Sequence, residues 1–447
     1  VDDDCDGARD NGLCCESADQ ALYSERLIPN AYTEGGVNAG FDAEQFLLAD
    51  VENQDAWRVA IRYSHEGQTR WTGRVIYTSA ETRNAPVERM ANFGDRVDAG
   101  AAEPWPVDAV EGIAMRSVGG YSLVLGRNAE GHVTASWTYY VARNSEQLGN
   151  GAPKEPEDLD VLHACGDLDG DGTIDPAPAG APPTWPVLAV DTIDHTDQAA
   201  SALVICPRKA LRLYPQRDPQ TDEPRPNVEI PLTTLNAENS RVPLDVPARW
   251  ATIRRVDGDV IPVIYGYERD GAWEVMGGNF VAGNTNRLQL TRPGAFADVP
   301  ATAAELGAPI YSHPDIIGPY LQILDGGRAA RVRVRGADGR WSWQPVVAGD
   351  DVELAYNPAQ ARLVAARRTG DTTDFYMLDL SDREDLNLWT TRPVLSVTAP
   401  EVRWALSLGA APGQFFIGGY RDVLAVFTRD LEGAWRVVTH GVDCRGN

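Results

Sequence analysis

A nine-residue acidic loop at residues 167–175, Asp-Leu-Asp-Gly-Asp-Gly-Thr-Ile-Asp, has the residue types and spacing best suited to chemistry. Aspartates stand at its first, third, fifth and ninth positions, and glycine stands at the sixth. Calcium is a hard cation that takes about six to eight oxygen ligands, and this spacing lets a tight turn bring successive carboxylates together. The main-chain carbonyl at the seventh position adds a neutral oxygen. The expected ligands are Asp167, Asp169, Asp171, Asp175 and the carbonyl oxygen of Thr173.

The same spacing occurs at residues 2–10, where Gly7 stands at the sixth position. Four carboxylates in so short a segment repel one another, and a divalent cation relieves that repulsion. An ion that binds only the folded chain also stabilises it by mass action. The alternative for both loops is a solvated acidic turn without an ion. The sequence favours calcium as a cofactor, with a second set of ligands from Asp2, Asp4, Asp6, Asp10 and the carbonyl oxygen of Ala8.

Both loops resemble the D-x-D-x-D-G-x-x-D calcium loops of thrombospondin type 3 repeats and of the FG-GAP blades of integrin-like propellers. The first loop, which contains Cys5, is also similar to the Asp-Cys-Asp-Gly metal-binding repeats of secreted proteins from myxobacteria and their relatives. These resemblances cover about nine residues at each place, and they imply a metal loop in an extracellular or periplasmic setting. Leu13 and Pro178 occupy position twelve, where an EF-hand has a bidentate glutamate, so EF-hand sensors are excluded.

The six cysteines favour disulfides formed in an oxidising compartment, and the alternative is buried free thiols in a cytosolic protein. No C-x-x-C spacing occurs among them, which leaves zinc ribbons and thioredoxin-type redox sites without support. The first expected disulfide joins Cys165 to Cys206. The second joins Cys444 to one of three cysteines near the start of the chain, which are Cys5, Cys14 and Cys15. Such a bond would bring the two ends of the chain together.

A hairpin signature recurs from end to end of the chain, in which an Asp-Gly or Glu-Gly turn is followed closely by tryptophan. Runs rich in Val, Ile, Tyr and Trp flank each turn, and glycine accepts the positive φ that a tight hairpin turn demands. Residues 185–232 and 352–395 contain similar runs without the signature. The turns are Glu66-Gly67, Glu130-Gly131, Asp270-Gly271, Asp338-Gly339 and Glu432-Gly433.

These segments predict seven units of three to four antiparallel strands, which is the length and content of a β-propeller blade. One blade buries only part of its apolar surface, so blades stack around an axis until the first and last strands lie side by side. The expected fold is all-β, with a single propeller over residues 21–447 and a calcium-loop insertion near 165–180. A Cys- and Asp-rich segment at residues 1–20 precedes it. Tandem β-sandwiches are the alternative, and the tryptophans after the turns are expected to pack between blades.

The charge balance limits the partners of this chain. It has 65 acidic and 40 basic residues and a formal net charge of −25, which disfavours nucleic acid and anionic membranes. No apolar run approaches the roughly 20 residues of a transmembrane helix. The sequence opens on Val1-Asp2 without the charged and apolar regions of a signal peptide, which predicts that any leader has been removed.

The sequence favours a non-catalytic function, because it lacks the nucleophile and phosphate-binding motifs of common enzyme classes. We expect a secreted or surface-attached bacterial protein, extracellular or periplasmic, that acts as a binding or scaffold module for a protein or glycan partner. One alternative is a propeller enzyme acting on carbohydrate, either a glycoside hydrolase or a lyase. Another is a subunit of an extracellular assembly. No residue is assigned a catalytic role, and the sequence does not identify ligand-binding residues.

Overall fold

The structure is a computed structural model whose described secondary-structure elements are β-strands, apart from a helical turn at residues 165–166. The all-β prediction is therefore confirmed for the described part of the chain. The structure describes residues 14–17, 23–27, 42–50, 56–65, 68–77, 89–90, 109–118, 121–129, 131, 133–141, 159–160, 165–178, 184–195, 198–214, 227–236, 238, 240–253, 260–281, 287–295, 310–313, 316–324, 327–335, 341–357, 362–380, 392–406, 422–431 and 435–445.

The chain divides into two compact units. Unit 1 consists of Val1–Arg89, Gly94–Ala102 and Ile323–Asn447, and unit 2 consists of Met90–Phe93 and Glu103–Gln322. Both units are built from antiparallel sheets, and most paired strands are neighbours in the sequence.

Unit 1 begins with two short strands, followed by a sheet in which β3, β4 and β5 pair in sequence order and β6 adds to β5. The bounds of these strands are β1 (Cys14–Ser17), β2 (Tyr23–Leu27), β3 (Asp42–Asp50), β4 (Ala56–His65), β5 (Gln68–Tyr77) and β6 (Arg89–Met90).

Unit 2 repeats this arrangement in consecutive antiparallel sheets. Its first strand group contains β7 (Ala109–Val118), β8 (Tyr121–Asn128) and β9 (Val133–Val141), which pair in sequence order, and β10 (Leu159–Asp160), which adds to β9. The second contains β11 (Ala189–His195), β12 (Gln198–Ile205), β13 (Lys209–Leu213) and β14 (Val228–Pro231), and a small hairpin follows it with β15 (Thr233–Leu235) and β16 (Arg241–Pro243). The third contains β17 (Ala248–Ile253), β18 (Val260–Arg269), β19 (Ala272–Val281) and β20 (Arg287–Ala295).

The chain passes from unit 2 to unit 1 within the second strand of the next sheet. That sheet contains β21 (Ile310–His313), β22 (Ile316–Leu324), β23 (Ala329–Arg335) and β24 (Trp341–Ala348). The sheet after it contains β25 (Val352–Asn357), β26 (Arg362–Thr369), β27 (Thr372–Asp379) and β28 (Leu395–Thr398). The last three strands are β29 (Glu401–Leu406), β30 (Asp422–Arg429) and β31 (Trp435–Arg445).

The two N-terminal strands complete the C-terminal sheet. β1 pairs with β31 from Cys14 opposite Arg445 to Ser17 opposite Val442. β2 pairs with the same edge of β31, from Tyr23 opposite Thr439 to Leu27 opposite Trp435. The expected side-by-side placement of the first and last strands is therefore confirmed for the backbone.

The five predicted turns all join two antiparallel partner strands of one sheet, namely β4–β5, β8–β9, β18–β19, β23–β24 and β30–β31. The turn between β18 and β19 has Asp270 and Gly271 at its two central positions, with φ values of 51° and 74°. Two successive positive φ values are those of a type I′ turn, whose twist matches that of the flanking strands. This hairpin confirms the prediction for its strands.

Strand β12 shows how neighbouring sheets in unit 2 pack face to face. Leu203 and Ile205 belong to a buried cluster with Val263 and Phe280 of the following sheet. The alternate residues Ala202 and Val204 belong to a second cluster, with residues of the preceding sheet, which are Leu123, Leu125, Val133 and Ala135. Side chains alternate along a strand, so both faces of this sheet are buried.

Unit 1 contains the same kind of interface between sheets. Val364 and Phe375, on β26 and β27, share a buried cluster with Leu424 and Val426 of β30. Trp435 follows one of the predicted turns, and its side chain is fully buried, with its ring 5.3 Å edge-on from Phe46 of β3. The expectation that such tryptophans pack between sheets is therefore confirmed for Trp435. The side chains of the other four lie outside the described part of the chain.

His440 of β31 gives this core a dependence on pH. Burial lowers the pKa of its imidazole below the ordinary value of about 6.5. Between the pKa of the folded state and that of the unfolded state, the imidazole is protonated in the unfolded chain but not in the folded chain. The free energy of unfolding therefore decreases as the pH falls below about 6.5. We expect His440→Leu to lose less stability than the wild type between about pH 7 and about pH 5, measured by urea unfolding. Equal losses in the two proteins would contradict this account.

Sets of antiparallel strands thus follow one another along the described chain, among them the four-stranded sheets β11–β14, β17–β20, β21–β24 and β25–β28. The number of seven units stays a prediction. The strand order within each set does not specify how the sets are arranged around an axis. The propeller therefore stays a prediction, and tandem sheets are compatible with these pairings.

Candidate metal centre

The acidic loop at residues 167–175 follows a cysteine that is bonded to the core of unit 2. Cys165 and Cys206 form a disulfide with a Cα–Cα distance of 5.2 Å, as the sequence predicted. Both cysteines are buried in the cluster that contains Leu211 and Leu213 of β13. Cys206 also directly follows β12, so the disulfide ties the start of the loop to a central strand of the sheet.

Main-chain hydrogen bonds to carboxylates give the loop its shape. The N–H groups of Gly170 and Gly172 donate to the two oxygens of Asp167, at 2.7 and 3.0 Å. At the far end, the N–H of Leu168 donates to Oδ2 of Asp175 at 2.7 Å. The N–H of Asp175 in turn donates to the carbonyl of Gly166 at 3.0 Å, which closes the loop next to the disulfide.

Two glycines make this turn possible. Gly172, at the sixth position, has φ of 84°, and Gly170 has φ of 81°. A Cβ built on either residue meets nothing within 4 Å, so the requirement for glycine is conformational and not a matter of space. The sequence identified the role of Gly172, but it did not identify that of Gly170. The repeated Asp-Gly dipeptide was the signal that could have revealed it.

Three of the predicted ligands lie together. Asp167, Asp169 and Asp175 each offer a carboxylate oxygen, and these oxygens lie within 4.8 Å of one another. Asp169 is exposed, whereas Asp167 and Asp175 are half-buried. Three convergent carboxylates form an arrangement that could hold a metal ion, and hard divalent cations prefer such oxygen ligands. Within the part of the chain that the structure describes, no second group of three metal-ligating side chains comes together in this way.

Asp171, the fourth predicted carboxylate ligand, lies outside this group of three. Its Oδ1 accepts hydrogen bonds from the hydroxyl of Thr173 at 2.5 Å and from the N–H of Thr173 at 2.8 Å. These bonds hold the pKa of the Asp171 carboxyl below its ordinary value. The roles of Asp171 and of the Thr173 carbonyl as ligands stay predictions.

The other predicted site residues are not described as fully. The acidic loop at residues 2–10, with Asp2, Asp4, Asp6, Ala8 and Asp10, lies outside the described residues, and so does Cys5. Cys14, Cys15 and Cys444 are described by their backbone positions in β1 and β31, which set Cys15 directly opposite Cys444.

No protein-family model matches this chain, and no curated protein matches it significantly. Among solved structures, it is similar to the BP39L lectin from Burkholderia pseudomallei, with 14% identity over 73% of this chain and 80% of the lectin and a TM-score of 0.30. It is also similar to Chaetomium thermophilum Sqt1 bound to the N-terminus of the ribosomal protein L10, with 9% identity over 88% of this chain and 86% of that chain and a TM-score of 0.27. Superpositions of this quality do not establish a shared fold or function.

Of the described residues, none belongs to a helix with the length and apolar character needed to cross a bilayer.

Proposed function

We propose that the loop at residues 167–175 is a structural calcium site. The observation that carries this proposal is the convergence of the Asp167, Asp169 and Asp175 carboxylates within 4.8 Å of one another. Their mutual repulsion makes the loop costly without a cation, and calcium tolerates the flexible, partly solvated geometry of such loops better than magnesium does. The disulfide at Cys165 reduces the entropy lost when the ligands are ordered.

The same region of the chain supports an extracellular or periplasmic location. Disulfides persist in oxidising compartments, and calcium sites of modest affinity are filled where calcium is abundant, outside the cell. The disulfide and the calcium loop lie two residues apart in the sequence, at Cys165 and Asp167. Their combination favours a secreted or cell-surface protein.

For the fold, we propose a seven-bladed β-propeller. Three observations support it: the succession of four-stranded antiparallel sheets, the burial of both faces of the β11–β14 sheet, and the addition of β1 and β2 to β31. A sheet that is buried on both faces by its sequence neighbours is expected in a ring of stacked blades. Two-layer sandwiches cover one face of each sheet and leave the other exposed.

For the function, we propose a non-catalytic binding or scaffold module for a protein or glycan partner at the cell surface. Propellers present loops at the ends of their blades on a rigid frame, and calcium would keep one such loop ordered. Binding of purified glycans to immobilised protein, with and without calcium, tests the glycan branch of this proposal. Turnover of a polysaccharide in the same assay would contradict a non-catalytic role.

Calcium removal should lower the thermal stability of the protein. If free calcium is about a hundredfold above its Kd, mass action adds about 2.7 kcal/mol to the free energy of unfolding, which excess chelator removes. We expect a lower melting temperature in EDTA and recovery on addition of calcium, measured by differential scanning calorimetry. An identical melt in both conditions, with no calcium detected by elemental analysis, would contradict the site.

A further inference from the structure

The pairing of β1 with β31 limits how the remaining cysteines can form disulfides. With Cys165 and Cys206 already joined, the other four allow three complete pairings. Each is set by the partner of Cys444, which is one of the three cysteines near the start of the chain, Cys5, Cys14 and Cys15.

A pairing of Cys5 with Cys444 would leave the adjacent residues Cys14 and Cys15 to bond to each other. Consecutive Cα atoms are about 3.8 Å apart, whereas the Cα atoms of a disulfide are usually separated by about 4.4–6.8 Å. Both cysteines also lie in a regular strand that is paired residue by residue with β31. The backbone geometry therefore disfavours this pairing.

The register decides between the other two pairings. Cys15 lies directly opposite Cys444, and Cys14 lies opposite Arg445. Directly opposed residues of an antiparallel pair have Cα atoms about 4.5 or about 5.5 Å apart, and both distances suit a disulfide. Successive residues of a strand belong to opposite faces of the sheet, so Cys15 shares a face with Cys444 and Cys14 does not.

We propose that a disulfide between Cys15 and Cys444 staples the first strand of the chain to the last, and that Cys5 bonds to Cys14. Each bond forms when two thiols give up two protons and two electrons to a small-molecule disulfide such as glutathione disulfide, which is released as two thiols. This inference goes beyond the calcium site and does not depend on it.

The disulfide between Cys15 and Cys444 would have two physical consequences. It closes a loop of nearly the whole chain, and cross-links across long loops restrict the unfolded state most strongly. It also keeps β1 paired with the outer edge of β31. Without β1, that edge of β31 would be exposed and could pair with a strand of another molecule.

Peptide mapping of the full chain after oxidation in a glutathione buffer tests the assignment. Trypsin is expected to release Cys444 in residues 437–445, both Cys14 and Cys15 in residues 10–26, and Cys5 in the peptide that ends at Arg9. Without reduction, the wild type should yield one species that contains all three peptides. A species that joins the Cys5 peptide to residues 437–445 without residues 10–26, or free thiols at all four positions, would overturn the proposal.

Two matched variants separate the adjacent cysteines. In Cys15→Ser, we expect residues 437–445 to be released with Cys444 fully alkylated, while the Cys5 peptide stays linked to residues 10–26. In Cys14→Ser, residues 437–445 should stay linked to residues 10–26, and Cys5 should be alkylated. The reverse pattern, or retention of the Cys444 link in Cys15→Ser, would overturn the assignment. Calcium titration of the same samples tests the calcium site separately.

Discussion

Replacing Gly266 with alanine is expected to destabilise the protein by more than about 3 kcal/mol. Gly266 lies on β18 directly opposite Trp250 of β17, and the indole of Trp250 covers it. A Cβ on Gly266 would lie 2.5 Å from Cζ2 of Trp250 and closer still to Cε2 and Nε1. Trp250 is itself buried, so its rigid ring has little room to move aside. The urea midpoint of Gly266→Ala should therefore decrease sharply.

A double-mutant cycle shows whether the clash with Trp250 is the cause. Trp250→Leu alone should destabilise the protein, because a large buried ring is lost. In that background, Gly266→Ala should cost much less than in the wild type, since the opposing ring is gone. An equal cost in both backgrounds, or a wild-type midpoint for Gly266→Ala alone, would show that the contact is not tight.

Replacing Asp167 with asparagine is expected to weaken calcium binding by about 100-fold or more. Changes to groups that only support a metal ligand cost about 10–100-fold in affinity, and Asp167 supplies both a ligand charge and the acceptor for two loop N–H groups. Asparagine keeps the size and one acceptor oxygen but removes the charge. Isothermal titration with calcium should show the loss, and EDTA should lower the melting temperature of Asp167→Asn much less than that of the wild type.

Two further variants identify the cause of that loss. Asp350→Asn removes one negative charge from an exposed turn outside the loop, and it should bind calcium like the wild type. Asp167→Ala removes both accepted hydrogen bonds, whereas asparagine keeps one acceptor, so the alanine variant should be less stable than Asp167→Asn even in EDTA, by about 0.5–1.5 kcal/mol for the one remaining bond. Wild-type calcium affinity in Asp167→Asn would exclude this loop as the metal site.

The sequence alone predicted the features that depend on local geometry. Glycine after Asp or Glu permits a positive φ, so the hairpin at Asp270-Gly271 could be located before any strand pairing was known. The spacing of aspartates in residues 167–175 likewise identified a loop in which carboxylates converge, because neighbours in sequence must be neighbours in space. The recurrence of the turns predicted a succession of antiparallel strands along the whole chain, and the described part of the chain has that organisation.

Tertiary structure decided the features that join distant residues. The sequence left three partners open for Cys444, and only the register of β1 on β31 set Cys15 opposite it. Nothing in the sequence linked Gly266 to Trp250, since their contact depends on which residues of two strands oppose each other. The hydrogen bonds from Thr173 to Asp171 were also not predicted, because side-chain hydrogen bonds depend on conformation. Local patterns determine turns and loops, whereas strand register and packing depend on the whole chain.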